Sequence, residues 1–193
     1  MSAETMTSVP KRTRPRDRRD QILREAFRLI ADRGFNAVSL ADIATAAGIQ
    51  KSSVLHHFPS MNELLLEVLQ VQGLEDYEFY REPGIDPASG PREAREVFTR
   101  YFERDLTRPE YVRLQTILAA ESLAPEHPAH AYFGGIMRSK REAMELSLAW
   151  KPNPRLAAGE FIAFWDGLET AWRGDDDFDV RAVWDSFCDR FFV

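Results

Sequence analysis

From Asp17 onward the apolar residues fall at helical rather than alternating spacings, and glycine-, proline- or polar-rich breaks divide the chain into about nine segments. Ile22, Ala26, Phe27 and Ile30 recur at steps of four, one and three, which predicts a first helix over about 18–33, closed by Gly34. Ser39-Leu40-Ala41-Asp42 then places a hydroxyl at an N-cap position and a carboxylate three residues on, a capping box with Asp in place of the usual Glu or Gln. A short helix through Ala46 follows, Gly48 breaks it, and a second short segment runs from Gln50 to about His57. Pro59 suits a helix start and Ser60 can cap a long helix over about 61–80, with Leu64, Leu65, Val68 and Leu69 inward. The stretch 82–91 reads as a linker, and amphipathic segments come after it at about 92–107, 109–123, 128–150, 154–173 and 178–192. No alternating pattern of useful length interrupts them. The expected fold is all-α, with a compact head of three helices and a larger helical body.

Composition changes that picture through charge. The 193 residues carry a net charge of −6, which speaks against a nucleic-acid partner until it is divided by segment. Residues 1–60 hold ten basic and six acidic side chains, a local +4, and the remainder holds 15 basic against 25 acidic, or −10. A basic element joined to an acidic body is a different object from a uniformly acidic protein. The single cysteine, Cys188, excludes an internal disulfide framework, and no apolar run approaches the roughly 20 residues that span a bilayer. With no signal-peptide pattern at the N-terminus, a cytoplasmic protein that does not engage a membrane is expected.

Two short helices joined through a glycine, with Ala44 and Ala47 where they cross, describe a helix-turn-helix. Small side chains allow the close crossing, and Gly48 accepts the positive φ of the turn. The second helix of such a unit enters the major groove, where Gln50, Lys51, Ser52 and Ser53 offer donors, acceptors and positive charge. Upstream, Arg14, Arg16, Arg18 and Arg19 can follow the phosphate backbone or reach the minor groove. The predicted organisation is a flexible basic tail over 1–16, the helix-turn-helix over 17–60, a connecting helix over about 61–80 and the body over 81–193.

These segments, from Ala26-Phe27-Arg28-Leu29-Ile30-Ala31-Asp32-Arg33-Gly34-Phe35 through Val38-Ser39-Leu40-Ala41-Asp42-Ile43-Ala44, Ala47-Gly48-Ile49 and His56-His57-Phe58-Pro59-Ser60, resemble the TetR family of transcriptional regulators. The likeness extends into the body at Ala120-Glu121, the 127–133 stretch and Ile162-Ala163-Phe164-Trp165-Asp166-Gly167-Leu168. It implies a homodimer with an N-terminal DNA-binding domain and a helical body that binds a small-molecule effector and dimerises through its last two helices; two recognition helices in successive major grooves then call for an inverted-repeat double-stranded operator. Carried residue by residue, the resemblance makes Ser39, Gln50, Lys51, Ser52, Ser53 and His56 DNA contacts, beside Arg14, Arg16 and Arg18. Leu55 and Met61 stand where the family often has tyrosine and lysine that touch phosphates, a loss the arginine-rich tail is expected to offset.

In the body, Phe161, Trp165, Leu168 and Trp172 form one helix stripe, and Val180, Val183, Trp184, Phe187 and Phe191 another. Each stripe can be internal core or, as the resemblance implies, half of a four-helix dimer interface made by Phe161, Trp165, Leu168, Trp172, Trp184, Phe187 and Phe191. An effector cavity is expected among the middle helices, lined by Tyr101, Phe102, Leu114, Leu118, Glu121 and Tyr132. Glu121 shares a face with Leu114, Ile117 and Leu118, so it is either a carboxylate for a polar or cationic effector or a paired structural group. His127 and His130 beside Glu126 have metal-ligand spacing, but Pro128 points to a loop and no further ligand is evident, so no metal or cofactor is expected. No phosphate-binding glycine loop or nucleophile set supports an enzyme. The reading is a transcriptional regulator released from DNA by an effector, the rival being a DNA-binding regulator without one.

Overall fold

The computed structural model describes residues 15–80 and 84–193. Among them are nine α-helices and no strand: α1 (Pro15–Arg33), α2 (Leu40–Ala46), α3 (Lys51–His57), α4 (Met61–Tyr80), α5 (Pro91–Leu106), α6 (Pro109–Glu121), α7 (His130–Ser147), α8 (Pro154–Gly174) and α9 (Val180–Phe191). The all-α expectation and the order of helices hold. The proposed tail over 1–16 is cut short, because Pro15 and Arg16 already open α1; proline's fixed φ is compatible with a first helical turn. Residues 1–14 lie outside the described part.

Local chemistry sets the ends. Prolines begin α5, α6 and α8, where a missing N–H removes no helix bond. Asn153 and Asp179 cap α8 and α9 by accepting the Leu156 and Ala182 amides at 3.2 and 3.0 Å. Within the linker, Asp86 accepts the Ala88 amide at 2.9 Å and closes a single 3-10 turn, Pro87–Ser89.

The buried side chains form two clusters, and the boundary between them does not coincide with the linker. The first joins the head to the body: Ile22, Ala26, Leu29 and Ile30 of α1 pack with Ile43, Val54 and Phe58, with Leu64, Leu65 and Leu69 of α4, and with Leu114 and Leu118 of α6. The second contains Phe98 and Phe102 of α5, Phe161, Trp165 and Leu168 of α8, and Trp184, Cys188 and Phe191 of α9. Phe102 stacks on Trp184 with centroids 4.9 Å apart, and Trp165 meets Trp184 edge-on at 5.4 Å. Cys188 is wholly enclosed here, and burial pushes its thiol up to about 12.

This arrangement corrects two groups of expected residues. Phe161, Trp165, Leu168, Trp184 and Phe191 are buried within the protomer, so they form its own core and are not presented to a second copy; Trp172 and Phe187 are half-buried beside them. What α8 exposes instead is a row of small residues, Gly159, Ala163 and Gly167, with Leu156 at its start; α9 exposes Val183. The six residues expected around a cavity are likewise dispersed. Leu114 and Leu118 belong to the first cluster and Phe102 to the second. Tyr101 lies edge-on to Phe79 and Phe98, and the Tyr132 hydroxyl donates to the Leu69 carbonyl at 2.9 Å. Glu121 is bonded to the head. The apolar period marks which face of each helix is covered, but not which neighbour covers it.

Candidate nucleic-acid interface

The reading unit starts at the α2 N-cap. The Ser39 backbone N–H donates to Asp42 Oδ2 at 2.9 Å, the Asp42 N–H donates back to Ser39 Oγ at 3.3 Å, and the Ser39 hydroxyl also donates to Asp42 Oδ2. The side-chain bond from Ser39, followed by its backbone bond, holds the Asp42 carboxyl below the ordinary carboxylate range. The Ser39 hydroxyl is therefore engaged in capping, although the residue itself is exposed.

Ala44 and Ala47 are buried where α2 turns towards α3, and Gly48 takes φ +63. The Ile49 N–H returns to the Ala44 carbonyl at 2.9 Å and fixes the turn. No atom lies within 4 Å of where a Gly48 Cβ would stand, so glycine is required here by backbone conformation and not by crowding. Gln21 of α1 braces the same turn, donating from Nε2 to the Ala47 carbonyl at 3.0 Å. The sequence reading missed that brace, since a glutamine on a helix surface carries no periodic signal.

On α3 the division between faces is sharp. Val54 is 0% exposed and anchors the helix to the first cluster, while Gln50, Lys51, Ser52, Ser53, Leu55 and His56 all face outward. Gln50 is the N-cap of α3 but makes no side-chain capping bond. The row thus presents an amide, an ammonium group, two hydroxyls and an imidazole, a mixture suited to base edges and phosphates in a major groove. Leu55, 42% exposed, adds an apolar group of the kind that contacts a thymine methyl. Met61, by contrast, packs against the first cluster, so neither a positive charge nor an exposed group stands at that position.

The arginines divide in use. Arg18 donates to Gln21 Oε1 at 3.1 Å and is half-buried. Arg19 pairs with Glu67 of α4 and lies over the Phe58 ring, 5.0 Å from its centroid, so it ties α1 to the entrance of α4. Arg14 lies outside the described residues, and only the backbone of Arg16 is described, at the start of α1. His57 stays neutral at pH 7, because burial first, then the nearby His56, Arg19 and Arg18, lower its pKa.

The head matches the family described as "Bacterial regulatory proteins, tetR family" over residues 22–68, which runs from α1 through the helix-turn-helix into α4. Over this head the chain is similar to the TetR family. It is 40% identical over 82 residues to the HTH-type transcriptional repressor KstR2 of Mycolicibacterium smegmatis, covering 42% of this chain and 39% of that protein. A 57-residue stretch, 29% of this chain and 26% of the relative, is 46% identical to the HTH-type transcriptional activator FasR of the same organism. The chain therefore spans about two fifths or less of the length of these curated relatives in the matched region. Over the whole fold it is similar to a TetR family regulator from Agrobacterium tumefaciens, with a TM-score of 0.74 and 20% identity over 93% of this chain and 97% of that one. That likeness is one of fold and runs through α9.

In the body a shallow cleft is lined by Phe102, Asp105, Leu106, Trp165, Leu168, Glu169, Trp172 and Val180, with a volume of about 10 Å³. Asp105 is bonded to Arg108 Nη2 at 3.2 Å. Glu169 Oε1 accepts the Trp165 indole N–H at 2.6 Å, and burial, followed by the charge of Asp105, raises its carboxyl to about 7. Neither carboxylate was singled out from sequence, since each lies in a helix rich in other acids. Among the described residues no group of three or more His, Cys, Asp or Glu side chains is placed to hold a metal. His127 turns inward and accepts the Ala129 amide at 3.2 Å, whereas the His130 ring bonds the Ser122 carbonyl at 2.8 Å. No described helix is long and apolar enough to cross a membrane.

Proposed function

We propose that the chain is a sequence-specific DNA-binding repressor that acts as a homodimer on an inverted-repeat operator and is released by a small-molecule effector. The observation that carries this reading is the outward row of Gln50, Lys51, Ser52, Ser53 and His56 on a helix anchored by Val54. Two such rows in successive major grooves require centres about 34–36 Å apart. Gly159, Ala163 and Gly167 on α8, beside Val183 and the half-buried Phe187 on α9, supply a face on which a second copy could approach closely. Arg14, Arg16 and Arg18 add phosphate contacts, and the acidic body orients the head towards DNA.

The effector would enter the cleft between α5, α8 and α9, whose walls, among them Phe102, Leu106, Trp165 and Trp172, suit a small apolar group. Of the six residues expected around a cavity Phe102 alone lines this cleft, and the dispersal of the other five favours the second reading, a DNA-binding regulator that responds to no effector. Repression requires an operator that overlaps a promoter, and one relative similar over the head is named an activator.

Selection from a random duplex library tests the reading. An inverted repeat should be enriched, with affinity falling linearly on a log–log salt plot as phosphate contacts are screened. An asymmetric site, or no enrichment, would overturn it. Deletion of residues 1–16 should weaken binding and flatten that salt slope, although it also removes the first two residues of α1.

A further inference from the structure

The junction between head and body contains a carboxylate with four neighbours from two other segments of chain. Glu121 is the last residue of α6, and its Oε2 accepts the Phe35 backbone N–H at 3.0 Å across 86 residues of sequence. Its Oε1 accepts from Asn36 Nδ2 at 3.3 Å. His127 Nε2 lies 3.7 Å from Oε2; with Nδ1 accepting the Ala129 amide, a neutral ring carries its proton on Nε2, on the side of Glu121. The His127 ring also packs edge-on against Phe35, with centroids 5.1 Å apart. Gly34 completes the fit: at φ +80 it leaves room that a Cβ would fill, 2.6 Å from Glu121 Oε1 and 3.5 Å from Ile117 Cγ2.

A second clasp lies eight residues earlier on α6, about 12 Å along its axis. There Arg113 Nη2 donates to the Asp32 carbonyl at 3.2 Å, and Nη1 lies 3.6 Å from Asp32 Oδ1. Both clasps hold the C-terminal end of α1 and the turn that leads to Ser39. The packing of Leu114 and Leu118 against α1 keeps the two helices together, but apolar contact is non-directional and tolerates rotation. Charge-assisted hydrogen bonds are directional and roughly twice as strong as neutral ones.

We infer that Glu121 is a positioning residue whose carboxylate, bonded to Phe35 and Asn36, sets the angle of the head on α6 and thereby the half-site spacing that the dimer accepts. The inference rests on the DNA-binding homodimer proposed above. It assigns the mechanical link between body and head to the C-terminal end of α6, in addition to the continuous helix α4.

The test uses the full chain and the operator that the wild-type protein selects, with its spacer also lengthened or shortened by one base pair. One base pair moves a half-site by about 3.4 Å and turns it by about 35°. The wild-type protein should lose about tenfold or more in affinity on either altered spacer, and Glu121→Ala about threefold or less, with Glu121→Gln between them, all within ordinary coupling energies. The same spacer penalty in all three proteins, with only the melting temperature lowered in the variants, would overturn the inference and leave Glu121 a structural group. Hydrogen exchange without DNA gives an independent reading: the Phe35 amide should exchange about tenfold faster in Glu121→Gln while the Val54 amide is unchanged, in line with local opening. Equal Phe35 protection would also overturn it. If Glu121→Ala does not fold, Glu121→Gln alone decides, since it keeps the side-chain volume. If the wild-type protein enriches no duplex, it is the DNA-binding reading that has failed.

Discussion

The two buried clusters differ in material and in what they connect. The first is mainly aliphatic and passes without a break from the reading helices into α4 and α6; the second is dominated by phenylalanine and tryptophan and is confined to the body. The linker at 84–90 thus separates segments of sequence but not cores. The head, α4 and α6 share one core and α5, α8 and α9 another, and the cleft lies wholly in the second. Among the elements with contacts on both sides is α6, packed against α1 and against α8.

The largest effect expected from breaking this division comes from Trp184, which is 1% exposed and lies at the centre of the aromatic cluster. Trp184→Ala should cost about 3–5 kcal/mol in a urea titration. If the clusters are distinct, far-UV signal from the head should persist beyond the midpoint of the body; coincident loss of both would merge them into one unit. Leu118→Ala should cost about 2–5 kcal/mol on the other side. Trp150, Trp165, Trp172 and Trp184 all belong to the second cluster or pack against it, so intrinsic fluorescence should lag behind amide exchange in α1–α3 for this variant.

Glu169 sharpens the comparison through pH. Its carboxyl is raised from 4.5 to about 7, so the native state holds a proton that the unfolded chain releases between those values, and stability falls as pH rises across that window. Glu169→Gln removes the titration. It should raise stability by on the order of 1–3 kcal/mol at pH 8 and by little near pH 4.5; an equal gain at both would show that the charge is not what costs. At the small end, Gly48→Ala should cost about 1 kcal/mol for its left-handed backbone alone, as read from thermal melts. A loss several times larger would mean that the turn is crowded.

The start of α2 was legible because capping side chains act locally: the Ser39–Asp42 box stands where a short-range reading places it, whereas the Asn153 and Asp179 caps were not singled out. The outward row on α3 was legible for the same reason, with Val54 as its single inward residue. The partners of the body's apolar stripes were not. Phe161 and Trp184 have the period of a covered face, yet whether the cover is the same chain or a second copy depends on contacts far apart in sequence. Glu121 shows the limit most clearly: its helical neighbours suggested a carboxylate in apolar surroundings, while its partners, Phe35 and Asn36, lie 86 and 85 residues away.

The enclosure of Cys188 has a practical corollary for distance measurements. It is the chain's single cysteine, and a thiol held near 12 inside the aromatic cluster forms almost no thiolate at neutral pH. The natural protein is therefore silent towards maleimides and nitroxide reagents while folded. A cysteine introduced at exposed Ala41 would be the one reactive site per chain, and a spin label there would report the distance between the two heads of the proposed dimer directly, with and without DNA.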